Sequence, residues 1–503
     1  MRTTKTSLLS TVLIVIVSTL SSINTSAQNS EDVFEAYRQR AEAKFNAKKQ
    51  AYEKIFNNYR DSVNNAFSQY LERRWEEISL NKSFPNPFKP EPKPVVDNTP
   101  VTTSTPLPHV QPKPEPKVPE PTPAAPVIEE APVQADETFK FDFFGVLCKV
   151  NLPAPKTFAV HGTSNEEISK AWKEISSGSF NAFVNDCTQY RKELNLCDWG
   201  TYQFVLEASK AYFGNPESNE SAMFQMFALS QMGYKIRLGK QNNKLINLIA
   251  FQEKIFAVPY LTIDGTEFYF LGSKLMDSGI QLCDFSFPEE KRASMRVGSL
   301  PALPHKETPK RFVKSRAYPH VTANISVNDN LIRFMDTYPC CSWELFAEAS
   351  LSQNVKDQLY PSLKKTIAGL SEKEAANILL NLIQTGFEYK TDGDQFGREK
   401  TFFGDEPFFY PYCDCEDRSI LYAILVKDLM NLDVVLLDYP SHIATAVCFN
   451  ENITGDYFDI NGKKYVWLCQ HWQPNVEEYA DYRNRRASGI PVYHPYPCWV
   501  AIV

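Results

Sequence analysis

A segment of extreme proline content divides this chain. Between positions 85 and 132, 16 of 48 residues are proline, and glycine and cysteine are absent. Each proline fixes its φ angle and lacks a backbone N–H, so this composition favours an extended, unpacked chain over a hydrogen-bonded core. We interpret residues 84–136 as a linker, and a role as a peptide ligand is the less favoured alternative. The folded parts of the 503-residue chain are therefore expected on either side of it.

The first 27 residues have the pattern of a secretory signal peptide. Arg2 and Lys5 supply positive charge, residues 8–20 form an apolar stretch, and Thr-Ser-Ala at residues 25–27 is a small-residue cleavage site. The apolar stretch is shorter than the roughly 20 residues of a membrane span, although an uncleaved anchor is the alternative. The sequence therefore predicts export, to the periplasm or the extracellular space.

Residues 30–80 are predicted to form a long amphipathic helix. Glycine and proline are absent from residues 31–78, and apolar residues recur there at steps of three or four. That spacing is typical of a coiled coil or a helical hairpin. We predict a stalk that self-associates or binds a partner, and a helix folded back on itself or on the body is the alternative. The apolar stripe consists of Phe34, Tyr37, Ala41, Phe45, Tyr52, Ile55, Tyr59, Val63, Phe67 and Tyr70.

From about residue 137 the chain is expected to be globular and mixed α+β. Hydrophobic residues make up 43% of the whole chain, enough to form apolar cores. A passage containing proline and lysine at residues 287–319 suggests a boundary, so we predict an accessory α+β domain at 137–319 and a second domain at 320–503. Helical periodicity in the accessory domain starts at Ser164. Strands at residues 255–263 and 266–271 are expected around an Asp-Gly turn.

Several classes of function have no support in the sequence. The net charge of −7 argues against a general nucleic-acid binder. The glycine-rich motifs that bind nucleotide phosphates do not occur, and no cysteine or histidine spacing is typical of a zinc site. We therefore predict no nucleic acid, nucleotide, cofactor or metal as a partner.

In residues 320–503 predicted helices precede predicted strands, an order typical of α+β folds. Ser371 and Glu374 form a capping box ahead of a helix with one apolar face. A second, apolar helix covers residues 420–430, and Asn461-Gly462 is a strong hairpin signal. The predicted strands lie at residues 433–437, 443–449 and 464–468.

Cys415 and His442 are the residues best suited to chemistry. Cys415 precedes the apolar helix, where unpaired backbone N–H groups and the helix dipole favour a thiolate. The acidic residues Glu416 and Asp417 oppose the thiolate, so a cationic partner is needed. His442, which opens a predicted strand, is the natural candidate. We predict that these two acids cap the helix or pair with Arg418, in preference to binding a cation. A thiolate–imidazolium pair is typical of cysteine acyl-transfer enzymes.

This ordered pattern resembles the bacterial transglutaminase-like superfamily. The resemblance rests on Cys-Glu-Asp-Arg-Ser at residues 415–419 heading an apolar helix, on His442 opening a later strand, and on the hairpin that follows. It implies a papain-like α+β core with a helical portion and an antiparallel sheet, and a Cys, His, Asp triad. It further implies that Cys415 is the nucleophile and His442 the base. The family usually carries an aspartate just after the next strand, where Gln470 stands here.

Because Gln470 stands where an aspartate is expected, the sequence does not fix the third member of the triad. An amide can orient an imidazole but cannot stabilise the imidazolium with a charge, and Asp459 and Asp438 are alternative carboxylates. The leading hypothesis is an exported transglutaminase-like enzyme that hydrolyses or transamidates peptide or side-chain amides through a thioester on Cys415. The alternative is a catalytically degenerate domain that binds a peptide or an envelope protein. The aromatic residues 408–412 either line a substrate cleft or pack over the core.

Overall fold

A computed structural model describes residues 6–73, 75–81, 83–85, 138–153, 158–272, 279–439, 442–454, 457–468 and 499–502. The described residues form two compact units: those up to Ala66 belong to the first and those from Phe67 onward to the second. Both predicted domains, 137–319 and 320–503, contribute to the second unit, and the boundary between them stays a prediction. Nearly all of the predicted linker lies outside the described residues.

One helix, α1 (Thr6–Arg73), forms the N-terminal part of the chain. It is uninterrupted because glycine and proline are absent from residues 6–73. It covers most of the predicted signal segment and most of the predicted 30–80 helix, which here ends at Arg73. Among the described residues, no helix combines the length and the apolar character that crossing a membrane requires. Stripe residues between positions 45 and 59 are more than half exposed: Phe45 at 68%, Tyr52 at 63%, Ile55 at 65% and Tyr59 at 55%.

The last turns of α1 and the residues after it pack into the second unit. Phe67 is fully buried, and its ring lies 4.6 Å from that of Trp172 in an edge-on contact. The strand Glu76–Ile78 (β1) pairs antiparallel with the later strand Ile280–Cys283, and Phe84 stacks on Tyr260 at 4.2 Å. The described residues from Phe67 to residue 85 therefore belong to the same unit as those from residue 138 onward. The linker at residues 84–136 stays a prediction, because nearly all of it lies outside the described residues.

Residues 138–283 contain a helical layer and five strands of a six-stranded sheet, to which β1 adds the sixth. Ser164 caps the first of these helices in a capping box with Glu167, at the predicted start. Asp264 and Gly265, both with positive φ, form the predicted turn between two strands, but residues 255–259 are not part of the first strand. The elements are β2 (Phe139–Phe143), β3 (Val146–Val150), α2 (Asn165–Ile175), α3 (Asn181–Glu193), α4 (Asp198–Phe213), α5 (Asn219–Gln231), β4 (Ile236–Gln241), β5 (Lys244–Ala250), β6 (Tyr260–Ile263), β7 (Thr266–Tyr269) and β8 (Ile280–Cys283). The sheet order is β1-β8-β4-β5-β7-β6, and β2 and β3 form a separate hairpin.

The following residues contain short helices, two small sheets and a five-stranded antiparallel sheet. The predicted capping box of Ser371 and Glu374 is confirmed at the start of α9 (Glu372–Gly386). The elements before it are β9 (Arg311–Lys314), β10 (Thr322–Ile325), α6 (Asp329–Met335), α7 (Trp343–Glu348) and α8 (Gln353–Ile367); those after it are β11 (Glu388–Tyr389), α10 (Asp392–Phe396), a 3-10 turn (Glu406–Phe408), β12 (Tyr412–Cys413), α11 (Cys415–Met430), β13 (Asp433–Tyr439), β14 (His442–Cys448), β15 (Tyr457–Ile460), β16 (Lys463–Leu468) and β17 (Trp499–Ile502). The order in the larger sheet is β15-β16-β14-β13-β17.

Helix α11 occupies the centre of this part of the second unit. All of its residues from Cys415 to Val426 are buried, and it packs against β13, β14, α7 and α9. Its residues 420–426 are all apolar, and a helical segment that is apolar on every side is expected to be enclosed in this way. The predicted hairpin at Asn461-Gly462 is confirmed, since both residues have positive φ and connect β15 to β16. The predicted α+β class is confirmed as a mixture of helices and sheets.

Candidate active site

Cys415 lies at the N-terminal end of α11, where the sequence predicted it. Its side chain is buried, with 1% exposed. Asp417 fixes the start of the helix, because its carboxylate accepts the backbone N–H of Asp414 at 3.1 Å and that of Phe402 at 2.9 Å. The predicted capping role of Asp417 is thereby confirmed. The same contacts join the helix start to the loop that contains Phe402.

His442 begins β14, and its backbone lies opposite Tyr439 of β13. Ser419 connects this strand to the Cys415 turn: its hydroxyl lies 2.8 Å from the carbonyl oxygen of Cys415 and 3.1 Å from that of Ile443. The residue that follows His442 and the turn that begins with Cys415 are therefore bridged by one buried hydroxyl. The side chain of His442 lies outside the described residues.

The third triad position falls largely outside the described residues, which include neither Gln470 nor the side chain of Asp438. Strand β16 runs antiparallel to β14, and its last residue, Leu468, lies opposite Thr445. Asp459 is a poor substitute for a triad carboxylate. It lies in β15 at the edge of the sheet, separated from β14 by β16, and its carboxylate accepts the N–H of Gly462 at 3.0 Å.

Glu416 lies beside the sulfur of Cys415. Its side chain is fully buried, and the Cys415 thiol donates to its carboxylate over 3.4 Å. A carboxylate this close to the sulfur favours the neutral thiol over the thiolate. Reactivity of Cys415 therefore requires a cationic partner, which is the role predicted for His442.

Arg418 holds the helix against the end of α9. Its Nη2 donates to the carbonyl of Phe387 at 2.7 Å and its Nη1 to the carbonyl of Gln384 at 3.3 Å. Its Nε also lies 3.5 Å from the sulfur of Cys413. Burial raises the pKa of the Cys413 thiol, and the Arg418 guanidinium opposes that rise. Cys413 is therefore a buried thiol of strand β12.

A set of buried charges before the Cys415 motif was not predicted from the sequence. Glu406 is fully buried and accepts from Lys400 Nζ at 2.7 Å and from the N–H of Phe403 at 2.8 Å. Asp405 is also fully buried and accepts the N–H of Ser352 at 2.9 Å. Burial raises the pKa of Glu406, against the opposing effect of Lys400, and it raises that of Asp405 to about 6. Three charged residues within seven positions resemble a solvated loop in sequence. No local signal distinguishes such a loop from a buried set of charges.

The aromatic segment before Cys415 divides between packing and exposure. Phe408 is buried, with its ring 5.5 Å from that of Phe387. Tyr410 stacks on Phe402 at 4.9 Å. Phe409 is 39% exposed. Packing accounts for Phe408 and Tyr410, whereas Phe409 is exposed and Tyr412 is half-buried, so both of these could line a cleft.

Three sets of side chains in the described residues have ligand atoms within 4.8 Å of one another, a spacing compatible with a metal ion. They combine Asp414, Cys415 and Glu416; Asp392, Glu399 and Glu416; and Asp392, Asp414 and Asp417. Two of these acids already serve the backbone, because Asp392 accepts the N–H of Lys400 at 2.8 Å and Asp417 accepts two N–H groups. We assign no metal to this cluster.

Comparison with protein-family models, with curated proteins and with solved structures found no match for this chain. The transglutaminase-like resemblance therefore stays a prediction from the sequence.

Proposed function

We propose that this protein is an exported, transglutaminase-like cysteine enzyme that acts on peptide or side-chain amides. The observation that carries the proposal is the Ser419 bridge, which brings the Cys415 turn next to the start of the strand that His442 opens. The layout agrees with the papain-like arrangement, since a buried helix headed by a cysteine packs on an antiparallel sheet. Its substrate is a protein or peptide, and the proposed chemistry uses no cofactor.

In the proposed reaction His442 accepts the thiol proton and Cys415 Sγ attacks the amide carbonyl. The new S–C bond forms as the C–N bond breaks, and the imidazolium returns its proton to the leaving amine. Water or a second amine then attacks the thioester, which gives an acid or a new amide and restores the thiol. Gln470 orients the imidazole in this scheme, and Asp438 is the alternative.

The pH dependence of alkylation at Cys415 tests the proposal. Iodoacetamide labelling of the full chain is followed by peptide mass mapping in wild type and in His442→Ala. The matched control is His320→Ala, since His320 is exposed in the same unit. Fast labelling near about pH 6 in wild type and control, lost in His442→Ala, is the expected result. Slow labelling that rises only near about pH 8.5 in all three proteins contradicts the proposal.

A non-catalytic binding module is the second candidate, and two observations favour it. Cys415 is 1% exposed, and its sulfur faces the carboxylate of Glu416. Both describe a covered thiol with a carboxylate beside it, an arrangement that favours the neutral form. Ordinary thiol behaviour in the labelling experiment supports this candidate, in which the inherited cleft binds a peptide or an envelope protein.

The N-terminal helix is proposed to support self-association or the binding of a partner. The support is the exposed stripe, in which Tyr52, Ile55 and Tyr59 follow one another at steps of three and four along α1. That spacing repeats once per heptad, as in the seam of a coiled coil. Residues 1–27 are proposed as the signal that exports the chain.

A further inference from the structure

Arg311 binds the backbone of the turn that leads into Cys415. Arg311, the first residue of β9, donates through Nη1 to the carbonyl of Pro407 at 2.8 Å and to the carbonyl of Tyr410. Its Nη2 donates to the carbonyl of Pro411 at 2.8 Å. One guanidinium thus binds three carbonyls of a single turn, and Cys415 follows that turn by four residues.

The strand that carries Arg311 is well anchored. Residues 311–314 pair antiparallel with β10, so that Arg311 lies opposite Ile325. Val313 is buried, and the strand lies close to the end of α9, because a Cβ placed on Gly386 would be 3.6 Å from the backbone nitrogen of Lys314. The guanidinium therefore extends from a fixed backbone.

Arg311 and Arg418 both contact Phe387. The guanidinium carbon of Arg311 lies 5.2 Å from the centre of the Phe387 ring, and Arg418 donates to the carbonyl of Phe387. Phe387 directly precedes β11, which pairs in parallel with β12, the strand between the turn and Cys415. Phe387 therefore connects the turn at residues 407–411, strand β12 and the start of α11.

We propose that Arg311 is a positioning residue for Cys415: it fixes the turn at residues 407–411 and thereby the approach of the sulfur to His442. This inference rests on the proposed function. A planar guanidinium with five donors satisfies several carbonyls at once, whereas a lysine ammonium on a flexible stem cannot reproduce that fork. Small displacements of a nucleophile are costly, since roughly 1 Å can reduce a rate by about a hundredfold.

The experiment compares wild type with Arg311→Lys and Arg311→Gln in the full chain. Arg316→Gln is the matched control, because Arg316 is an exposed arginine two residues after β9. Hydrogen–deuterium exchange of peptides covering residues 406–415 measures the order of the turn, and iodoacetamide labelling across pH measures the state of Cys415.

Faster exchange confined to residues 406–415 in both Arg311 variants is expected, together with labelling of Cys415 near about pH 6 that is roughly tenfold slower. Two results overturn the proposal. One is unchanged exchange and labelling in both variants. The other is faster exchange throughout the second unit even in Arg311→Lys, which makes Arg311 a residue of general stability. Failure of the proposed function has a different signature: wild-type Cys415 labels as an ordinary thiol while exchange still rises locally in the variants.

Discussion

Asp405→Asn is the substitution whose effect on stability can be worked out most directly from this structure. Asp405 is fully buried, and one carboxylate oxygen accepts the N–H of Ser352 at 2.9 Å. The second oxygen has no hydrogen-bond partner among the described residues. Burial raises the pKa of Asp405 from 3.8 to about 6, and its contacts with Ser352 and Lys356 offset only part of that rise.

The raised pKa means that the folded state holds the Asp405 proton more tightly than the unfolded state does. Ionisation therefore costs nothing well below the unfolded value of 3.8, and the cost grows until the pH exceeds about 6. A difference of about 2 pKa units corresponds to about 3 kcal/mol of unfolding free energy above that range. Asparagine keeps an acceptor for Ser352 and removes this cost, but it introduces an amide donor without a partner, at about 1–3 kcal/mol.

The prediction concerns how the difference in unfolding free energy between Asp405→Asn and wild type changes with pH. Relative to wild type, Asp405→Asn should gain about 2–3 kcal/mol of unfolding free energy between about pH 4 and about pH 8, whatever the constant cost of the amide. Urea unfolding followed by tryptophan fluorescence at several pH values measures it. Asp394→Asn is the control, because Asp394 is exposed. A difference between Asp405→Asn and wild type that stays constant over this range refutes the argument that Asp405 titrates inside the folded protein.

Three further predictions concern other contacts. Lys400→Met should lower the unfolding free energy by about 3–5 kcal/mol in the same urea assay, because it strands the buried carboxylate of Glu406; a loss below about 1 kcal/mol contradicts a buried pair. Glu416→Gln should speed alkylation of Cys415 near about pH 7 by roughly tenfold, since it removes the negative charge beside the sulfur; an unchanged rate shows that Glu416 does not control the thiol. Ile55→Asp should reduce the mass measured by light scattering if α1 self-associates, and an equal mass for wild type and variant rejects that role for the stripe.

The parts of the fold that the sequence predicted are those with local causes. The helix start at Ser164, the capping box at Ser371, the hairpin at Asn461-Gly462 and the start of α11 at Cys415 each depend on residues within a few positions of one another. Backbone hydrogen bonding and left-handed turn geometry impose those patterns whatever the rest of the chain does. The same explanation covers the long α1, in which nothing breaks the helix.

The features that the sequence did not predict depend on partners far along the chain. The burial of Phe67 requires Trp172, more than 100 positions later, and periodicity alone cannot distinguish a stripe that faces a partner helix from one that enters a core. Asp405, Glu406 and Lys400 resemble a solvated loop until the fold supplies the N–H groups and the counter-charge that make their burial possible. Arg311 is similar, since its three carbonyl partners lie about 100 residues away.

Two neighbouring thiols allow the enzyme and the binding-module hypotheses to be separated on physical grounds. Cys413 lies beside the Arg418 guanidinium, yet burial still raises the pKa of its thiol. Cys415 is as deeply buried and faces a carboxylate. A thiolate at Cys415 near neutral pH therefore needs a further cation, and the order of elements points to His442, one residue before the carbonyl that Ser419 contacts. If Cys415 is reactive in wild type and remains so in His442→Ala, the enzyme hypothesis needs another base. If Cys415 is unreactive in both proteins, the thiol stays neutral beside Glu416, and the binding-module hypothesis is favoured.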